Sequence, residues 1–357
     1  MMTGCVISPR RTLGGSATPT PTPTASPTPT PTATPTPAAP TNRLYVSNQN
    51  TNSIAVFSSA LSTTGNVAPS ATIVGAATTL NGPQYMAFDS VHDRLFVANV
   101  GAGTVLIFDS ASTATANVAP TRSIGGVVSG LISPSDVAYD ATNDRLYVLD
   151  VTDILVYNTI SNPAVNGDRA PDRDILVPFN LTAFCLDVVN DRLYATDAGA
   201  NEVAIFDNVS TLNSPAVTVP ASRTLSGALT KLSGPFGIAL DPSNNLVVTN
   251  TVGGGSITVY SAASVATGTG ALNVAPVATI TGAATSLVTP AQIILNPLSA
   301  AGEMIVADST AGEVATFTNV TTGGNIAPAR KISGSATTLT LTGQQTARGV
   351  AFDKTTR

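Results

Sequence analysis

The sequence predicts an all-β protein, a six-bladed β-propeller of four-stranded antiparallel blades, with the ring closed by a C-terminal strand a pairing with N-terminal strands b to d. Three observations lead there. A five-residue strand-like motif occurs six times at nearly constant spacing; three further segment types keep a fixed order around it; and the first set lacks its opening segment, while the chain finishes on a lone copy of that segment.

The most regular motif reads NRLYV from Asn42, DRLFV from Asp93, DRLYV from Asp144, DRLYA from Asp191, NNLVV from Asn244 and GEMIV from Gly302, at intervals of 51, 51, 47, 53 and 58 residues. A period near 50 built from strand-like segments indicates propeller blades. This segment is strand b. Ahead of it stands strand a: PQYMAFD ending at Asp89, PSDVAYD at Asp140, LTAFCLD at Asp187, PFGIALD at Asp241, PAQIILN at Asn296 and, last, ARGVAFD at Asp353. Behind it comes strand c, closed by Phe57, Phe108, Tyr157, Phe206, Tyr260 or Phe317. Strand d follows an Ala-Pro or similar turn and starts at Ala71, Arg122, Arg173, Arg223, Ala278 and Arg330. All are short, rich in Val, Ile, Tyr and Phe, and bounded by Gly, Pro, Asn and Asp, which is the pattern of strands. No window shows capped helical spacing. Because the N-terminal set begins at b and the C-terminal set ends at a, the two ends must share one blade. Such closure removes the free edges of an open array, which would need polar capping repeats that are not visible here.

Ahead of the repeats, residues 1–15 form a tail and residues 16–41 read SATPTPTPTASPTPTPTATPTPAAPT. Alternate prolines remove backbone donors and favour polyproline II, so this segment is expected to be a stiff spacer reaching on the order of 80 Å at about 3.1 Å per residue. Met-Thr-Gly-Cys in the tail resembles the end of a bacterial lipoprotein signal, which makes Cys5 the expected lipid-attachment residue on a start annotated too late. The expected location is the bacterial cell envelope, as a lipoprotein, or outside the cell. The folded part is residues 42–357.

Composition narrows the partners. Charged residues are 10% of the chain and the formal net charge is -5, so there is no basic field for phosphate backbones, and nucleic acid is not expected. No apolar run of about 18 residues is present, so membrane contact is expected only through an N-terminal lipid. Two cysteines, Cys5 and Cys185, are too few for a disulfide framework.

The chain resembles the NHL-repeat and related six-bladed propellers, including the gluconolactonase-like group. The likeness rests on Pro-x-Gly-Ile-Ala-x-Asp at Pro235 to Asp241, on Asp144 to Asp150 and on Ile154 to Tyr157, and covers about 42 to 357. It implies the fold; propellers host enzymes, adhesins and scaffolds alike. Metal-dependent lyases of the group lean on histidines, and the single histidine here, His92, falls in an a–b turn. Gluconolactonase-like members use a Glu with Asn and Asp around an axial divalent cation, whereas Glu202, Glu303 and Glu313 fall in turns or at strand starts.

Two residue sets are candidate sites. One is the Asn or Asp closing strand b in every blade: Asn48, Asn99, Asp150, Asp197, Asn250 and Asp308. A sixfold ring of such oxygens suits Ca²⁺ or Mg²⁺; the same residue types also open tight turns by bonding their own backbone two residues on. The other set is the variable start of strand a, where Gln84, Tyr85, Asp136, Phe236, Gln292 and Arg348 differ between blades and make the expected ligand site. Small residues further along strand a (Ala87, Ala138, Cys185, Ala239 and Ala351, with Ile294 the exception) suit crowding near the axis. Arg122, Arg173, Arg223 and Arg330 in strand d are expected to pair with nearby acids. The expected function is a monomeric binding or interaction module, not an enzyme, taking a protein or glycan at the mouth formed by the b–c and d–a loops; the alternative is a cation-dependent propeller hydrolase or lyase of lactonase type.

Overall fold

In the computed structural model the described residues are 42–296, 298–299, 302–318, 321–339 and 347–354, all within one compact unit, Ala38–Arg357. The tail, the Thr/Pro segment and Cys5 lie outside the described residues.

The strands assemble into six antiparallel sheets, each ordered a-b-c-d, which makes a six-bladed β-propeller. Blade 1 joins the two ends of the chain: strand a is Ala347–Asp353, and b, c and d are Arg43–Asn48, Ser53–Ser58 and Ala71–Val74. Arg43 pairs with Asp353 and Val46 with Val350, the closure expected from the segment count. Blade 2 is Pro83–Asp89, Arg94–Asn99, Thr104–Asp109 and Arg122–Gly125. Blade 3 is Pro134–Asp140, Arg145–Asp150, Asp153–Asn158 and Arg173–Leu176. Blade 4 is Leu181–Asp187, Arg192–Asp197, Glu202–Asp207 and Arg223–Leu225. Blade 5 is Pro235–Leu240, Leu246–Asn250, Ser256–Tyr260 and Ala278–Thr281. Blade 6 is Pro290–Leu295, Met304–Asp308, Glu313–Phe317 and Arg330–Ser333.

Strands b and c are apolar on both sides because each is sandwiched between neighbouring blades. Six hydrophobic clusters fill the six interfaces, and the one between blades 1 and 6 holds Val46, Phe57, Ile305 and Ile332. The aromatic residues closing strand c are at most 2% exposed. Where that residue is tyrosine its hydroxyl reaches a carbonyl of the preceding d–a loop, Tyr157 to Ser129 at 3.0 Å and Tyr260 to Thr230 at 2.5 Å; a buried phenol needs such a partner.

Two features depart from the sequence reading. Blade 4 gains a fifth, parallel strand, Gly270–Leu272, along its outer edge, and a five-residue helix, Ala262–Ala266, begins at Ser261, whose hydroxyl accepts the Ser264 N–H. Both lie in the c–d connection of blade 5, and a helix of about one turn carries too little periodicity to be read from sequence.

That fifth strand is the longest instance of a general device. The outer edge of strand d in every blade is met by the c–d loop of the next blade in a parallel bridge: Ile73 with Ala116, Ile124 with Gly167, Ile175 with Ser214, Ile280 with Gly324 and, across the chain ends, Ile332 with Gly65. The edges that a free sheet would offer to another chain are thereby covered.

Candidate functional site

Each strand a carries a register shift near its start, as between Pro83 and Met86 or Pro134 and Asp136, which is a β-bulge that re-aims the residue there. The six residues at the equivalent position are Tyr85, Asp136, Ala183, Gly237, Gln292 and Gly349. They divide into two sets of three, according to the strand b residue behind them.

In blades 1, 4 and 5 strand b supplies a hydroxyl: Ser47, Thr196 and Thr249. Each accepts the N–H of the bulge residue, from Gly349 at 2.7 Å, Ala183 at 3.2 Å and Gly237 at 2.7 Å. Each then donates to strand a of the next blade, at the carbonyls of Gln84 (2.5 Å), Phe236 (2.6 Å) and Ala291 (2.8 Å). The bulge residue is small because the neighbouring strand lies against it. A Cβ on Gly237 would collide with the Ala291 carbonyl oxygen, and one on Gly349 with that of Gln84.

In blades 2, 3 and 6 the strand b residue is Ala98, Leu149 or Ala307, which can bridge nothing, and the bulge residue is large: Tyr85, Asp136 or Gln292. Two of these make the inter-blade link themselves. Asp136 accepts the Phe184 N–H at 2.9 Å and its own neighbour Val137 N–H at 2.8 Å; Gln292 accepts the Val350 N–H at 2.7 Å and donates to the Met86 carbonyl at 3.4 Å. Tyr85, 1% exposed, packs edge-on against Phe236 at 6.2 Å, and the Arg348 guanidinium lies 5.7 Å from the centre of the Phe236 ring while its Nε donates to Gln49 Oε1 at 3.0 Å.

On the a–b turn side of this layer lies a cavity of about 390 Å³, lined by strand a of all six blades. Asp136 and Gln292 are its floor, being the lining residues nearest the start of strand a. Its wall includes Ala87, Ala138, Cys185, Ala239, Ile294 and Ala351. These residues were expected to serve crowding at the axis; instead their small size leaves the axis open. Cys185 is half-buried because it faces this space, and enclosure by protein pushes its thiol pKa up. Of the six residues expected to bind a ligand, then, Asp136 and Gln292 line the cavity, while Tyr85, Phe236 and Arg348 stack on the d–a side of it. The Gln84 carbonyl holds Ser47.

The floor is electrically unusual. Burial drives the Asp136 carboxyl up to about 8, against the opposing effect of the Phe184 and Val137 N–H groups, so it is mainly a neutral acid at pH 7. Burial also raises the Tyr85 phenol, with the Asp136 charge adding and Arg348 opposing.

The strand b Asn and Asp residues are engaged elsewhere. Asn99 accepts the Asn81 N–H at 2.6 Å; Asp150 accepts those of Ile132 (2.8 Å) and Ser133 (2.5 Å); Asn250 accepts that of Ser233 at 3.0 Å. Asp197 takes the Asn180, Gly199 and Ala200 N–H groups, and Asp308 those of Val288, Thr289 and Ala311. Most of these bonds reach back about twenty residues, so the side chains clamp the d–a loop to strand b, a longer-range role than the local turn that spacing suggests. Asn48 donates to Ser53 at 3.4 Å. Among the described residues no group of three or more His, Cys, Asp and Glu is arranged to hold a metal ion.

Sequence reasoning missed a second set of polar residues. After strand d the chain turns through Gly75, Gly126, Gly227, Gly282 and Gly334, all at φ between 109° and 127°, where an L side chain is strained. Into each turn the next blade inserts an Asn or Asp that accepts a backbone N–H: Asn117 from Ala77, Asp168 from Val128, Asn273 from Leu229, Asn325 from Ala284 and Asn66 from Ala336. The signal was present as Asn-Val-Ala-Pro and its variants before strand d and Gly-x-x-Thr or Gly-x-x-Ser after it. The strand d arginines join the same seam. Arg122 and Arg223 bind Asp109 and Asp207 at 3.2 and 2.5 Å, and Arg330 binds Glu303 at 2.7 Å; Arg173 has no acid partner among the described residues and donates to the Val209 and Leu212 carbonyls and Tyr147. His92 sits on the surface with Nδ1 2.7 Å from Asp89 Oδ2.

No protein-family model matches the chain, and no curated protein matches its sequence. Among solved structures it is similar to a chain of a nidogen/laminin complex, with a TM-score of 0.56 and 12% identity over 87% of this chain and 98% of that one. It is also similar to a functionally unknown protein from Desulfotomaculum acetoxidans, with a TM-score of 0.51 and 14% identity over 82% of this chain and 80% of the other. At such identities the likeness is one of fold. The fold is a six-bladed β-propeller.

Proposed function

We propose that this chain is a binding module of NHL-like type, held off the bacterial envelope by its Thr/Pro segment and anchored through Cys5, and that its ligand site is the axial cavity. The observation that carries the reading is the break in the repeat at the bulge. The four strands and the aromatic end of strand c repeat in every blade, but the axial residue is Tyr, Asp, Ala, Gly, Gln or Gly, and the two polar ones that line a cavity of about 390 Å³ are Asp136 and Gln292. Individual residues written into a rigid repeated scaffold, facing a concave space with mostly apolar side chains in its wall, are what a small-ligand site requires. The test is a melting screen of the full chain against a small-molecule panel, beside an Ala351→Leu variant that narrows the cavity. Ligands are expected to raise the melting temperature of the wild type and not of the variant; equal shifts in both would remove the cavity from the reading. Anchoring is checked by fractionating cells that express the wild type or Cys5→Ser from the native locus, with release of the variant into the soluble fraction expected.

A second reading, a protein partner on the face made by the d–a and b–c loops, is supported by the exposed apolar residues Val127 (96%), Ile132 (75%), Val128 (58%) and Val151 (47%), which sit close together in sequence on blades 2 and 3. Ile132→Asp should abolish cross-linking to such a partner in intact cells and leave small-ligand melting shifts untouched.

A further inference from the structure

We propose that the axial cavity takes an uncharged, mainly apolar small molecule that points a hydrogen-bond acceptor oxygen, as in a ketone, ester or ether, at Asp136 and Gln292. This rests on the reading of the cavity as the ligand site and names the ligand's chemistry.

The argument begins with the wall. Strand a contributes alanine, valine, isoleucine, leucine, methionine and phenylalanine to the lining, and neither Lys, Arg, His nor Glu is among the lining residues. A charged ligand would lose its hydration and meet no counter-ion from Lys, Arg or His, which is costly. The polar floor then decides the orientation. All the acceptor capacity in use on the floor faces protein: Asp136 Oδ1 and Oδ2 face the Val137 and Phe184 N–H groups, and Gln292 Oε1 faces Val350 N–H. What stands without any partner is donor capacity. An amide NH₂ has two hydrogens, and the Met86 carbonyl takes one of them, leaving the other; a neutral carboxyl brings one more. Each floor oxygen already holds one N–H, whereas these two hydrogens have no partner, and an acceptor oxygen on the ligand supplies one.

The proton on Asp136 is part of this. The titratable groups facing Asp136 are Tyr85 from blade 2 and Cys185 from blade 4; both are driven towards their neutral forms by burial, with the Asp136 charge as a further contribution. Among the described residues no Lys, Arg or His lines the cavity beside Asp136. Loss of its proton therefore places an uncompensated negative charge beside the acceptor oxygen and removes one donor, so binding weakens as pH rises through about 8.

The experiment uses the full chain and prodan, a neutral naphthyl ketone whose emission reports both an apolar site and a hydrogen bond to its carbonyl. N-phenyl-naphthylamine serves as a neutral probe without a carbonyl, and anilinonaphthalene sulfonate as an anionic one. Prodan should bind saturably, about tenfold more tightly than the naphthylamine, as one good hydrogen bond allows. Its affinity should fall about tenfold between about pH 6 and about pH 10. Ala138→Phe and Ala239→Phe, filling the cavity from two different blades, should each abolish binding while far-UV dichroism and cooperative melting persist. Should both variants misfold, slowing of Cys185 modification by a small thiosulfonate in a Cys5→Ser chain, with prodan present, is the equivalent readout. If all three probes bind alike and without pH dependence, the ligand class is overturned and the axial site stands. If no probe binds, or if the filled variants bind as the wild type does and Cys185 gains no protection, the axial site falls as well.

Discussion

At the scale of single residues, Asp136 carries the most distinctive consequence. An aspartate that titrates near 3.9 in the unfolded chain and near 8 in the folded one takes up a proton on folding at any pH between them. Between those values the folded state binds more protons than the unfolded state, so this group's contribution to stability declines as pH rises from about 4 to about 8 and is level beyond. The size is on the order of a few kcal/mol for a shift of this kind. Urea midpoints should therefore fall more steeply from pH 5 to pH 8 in the wild type than in Asp136→Asn, and parallel pH profiles would refute the assignment. Asp308 illustrates a different role. It satisfies N–H groups of Val288, Thr289 and Ala311, and Asp308→Ala leaves buried donors unpaired at a cost of about 3 kcal/mol. The loss should be the same with and without a chelator; a cation-bound aspartate would instead lose its stabilising effect when the metal is removed. The recurrence of Asp308 and its five counterparts was legible in the sequence, but their partners were not, because the loop they hold lies about twenty residues away and is itself irregular.

At the scale of elements, the seam between blades is more than apolar packing. The turn after strand d and the loop before the next one interlock, so that a Cβ on Gly282 would stand 2.6 Å from Asn325 Oδ1 in a backbone already at φ 115°. Gly253, at φ 83° with open space around it, carries strain without the collision. Gly282→Ala should thus cost more than Gly253→Ala, by about 2 kcal/mol, as read from thermal melting; an equal loss in the two would mean that the clasp holds nothing. The strand assignments themselves were readable because the information is local: Asp144, for instance, repeats in a left-handed turn (φ 52°) with its carboxylate on the Ser161 N–H at 3.0 Å. The short helix after Ser261 was not, since one turn is stabilised by what it packs against rather than by its own period.

For the whole molecule, the decisive feature is that the ends are fastened twice. Strand a of blade 1 comes from the C-terminus, with Arg43 3.6 Å from Asp353, and the outer edge is closed again where Gly65 donates to the Lys331 carbonyl at 2.6 Å. Truncation before Ala347 would strip a ladder from strand b and forfeit roughly 5 kcal/mol of burial from Val350, Ala351 and Phe352. The truncated chain should lose a single cooperative melting transition and self-associate on size-exclusion chromatography, through the exposed edge of Arg43–Asn48. A monomer melting like the wild type would show that the ring does not depend on its closure.

The sequence by itself determined the number of blades, the order of strands within them and the way the ends meet. Those depend on period-two apolar patterns and turn residues, which act over a few neighbours and repeat in every copy. Only the tertiary structure decided what the axis does. The sorting of the bulge residues into Tyr85, Asp136 and Gln292 on one side and Ala183, Gly237 and Gly349 on the other depends on whether Ser47, Thr196 and Thr249 or an apolar residue lies behind them, and on contacts reaching from one blade to the next. The cavity beneath them is a sum over six side-chain volumes meeting at one line, a quantity that no single copy of the repeat contains.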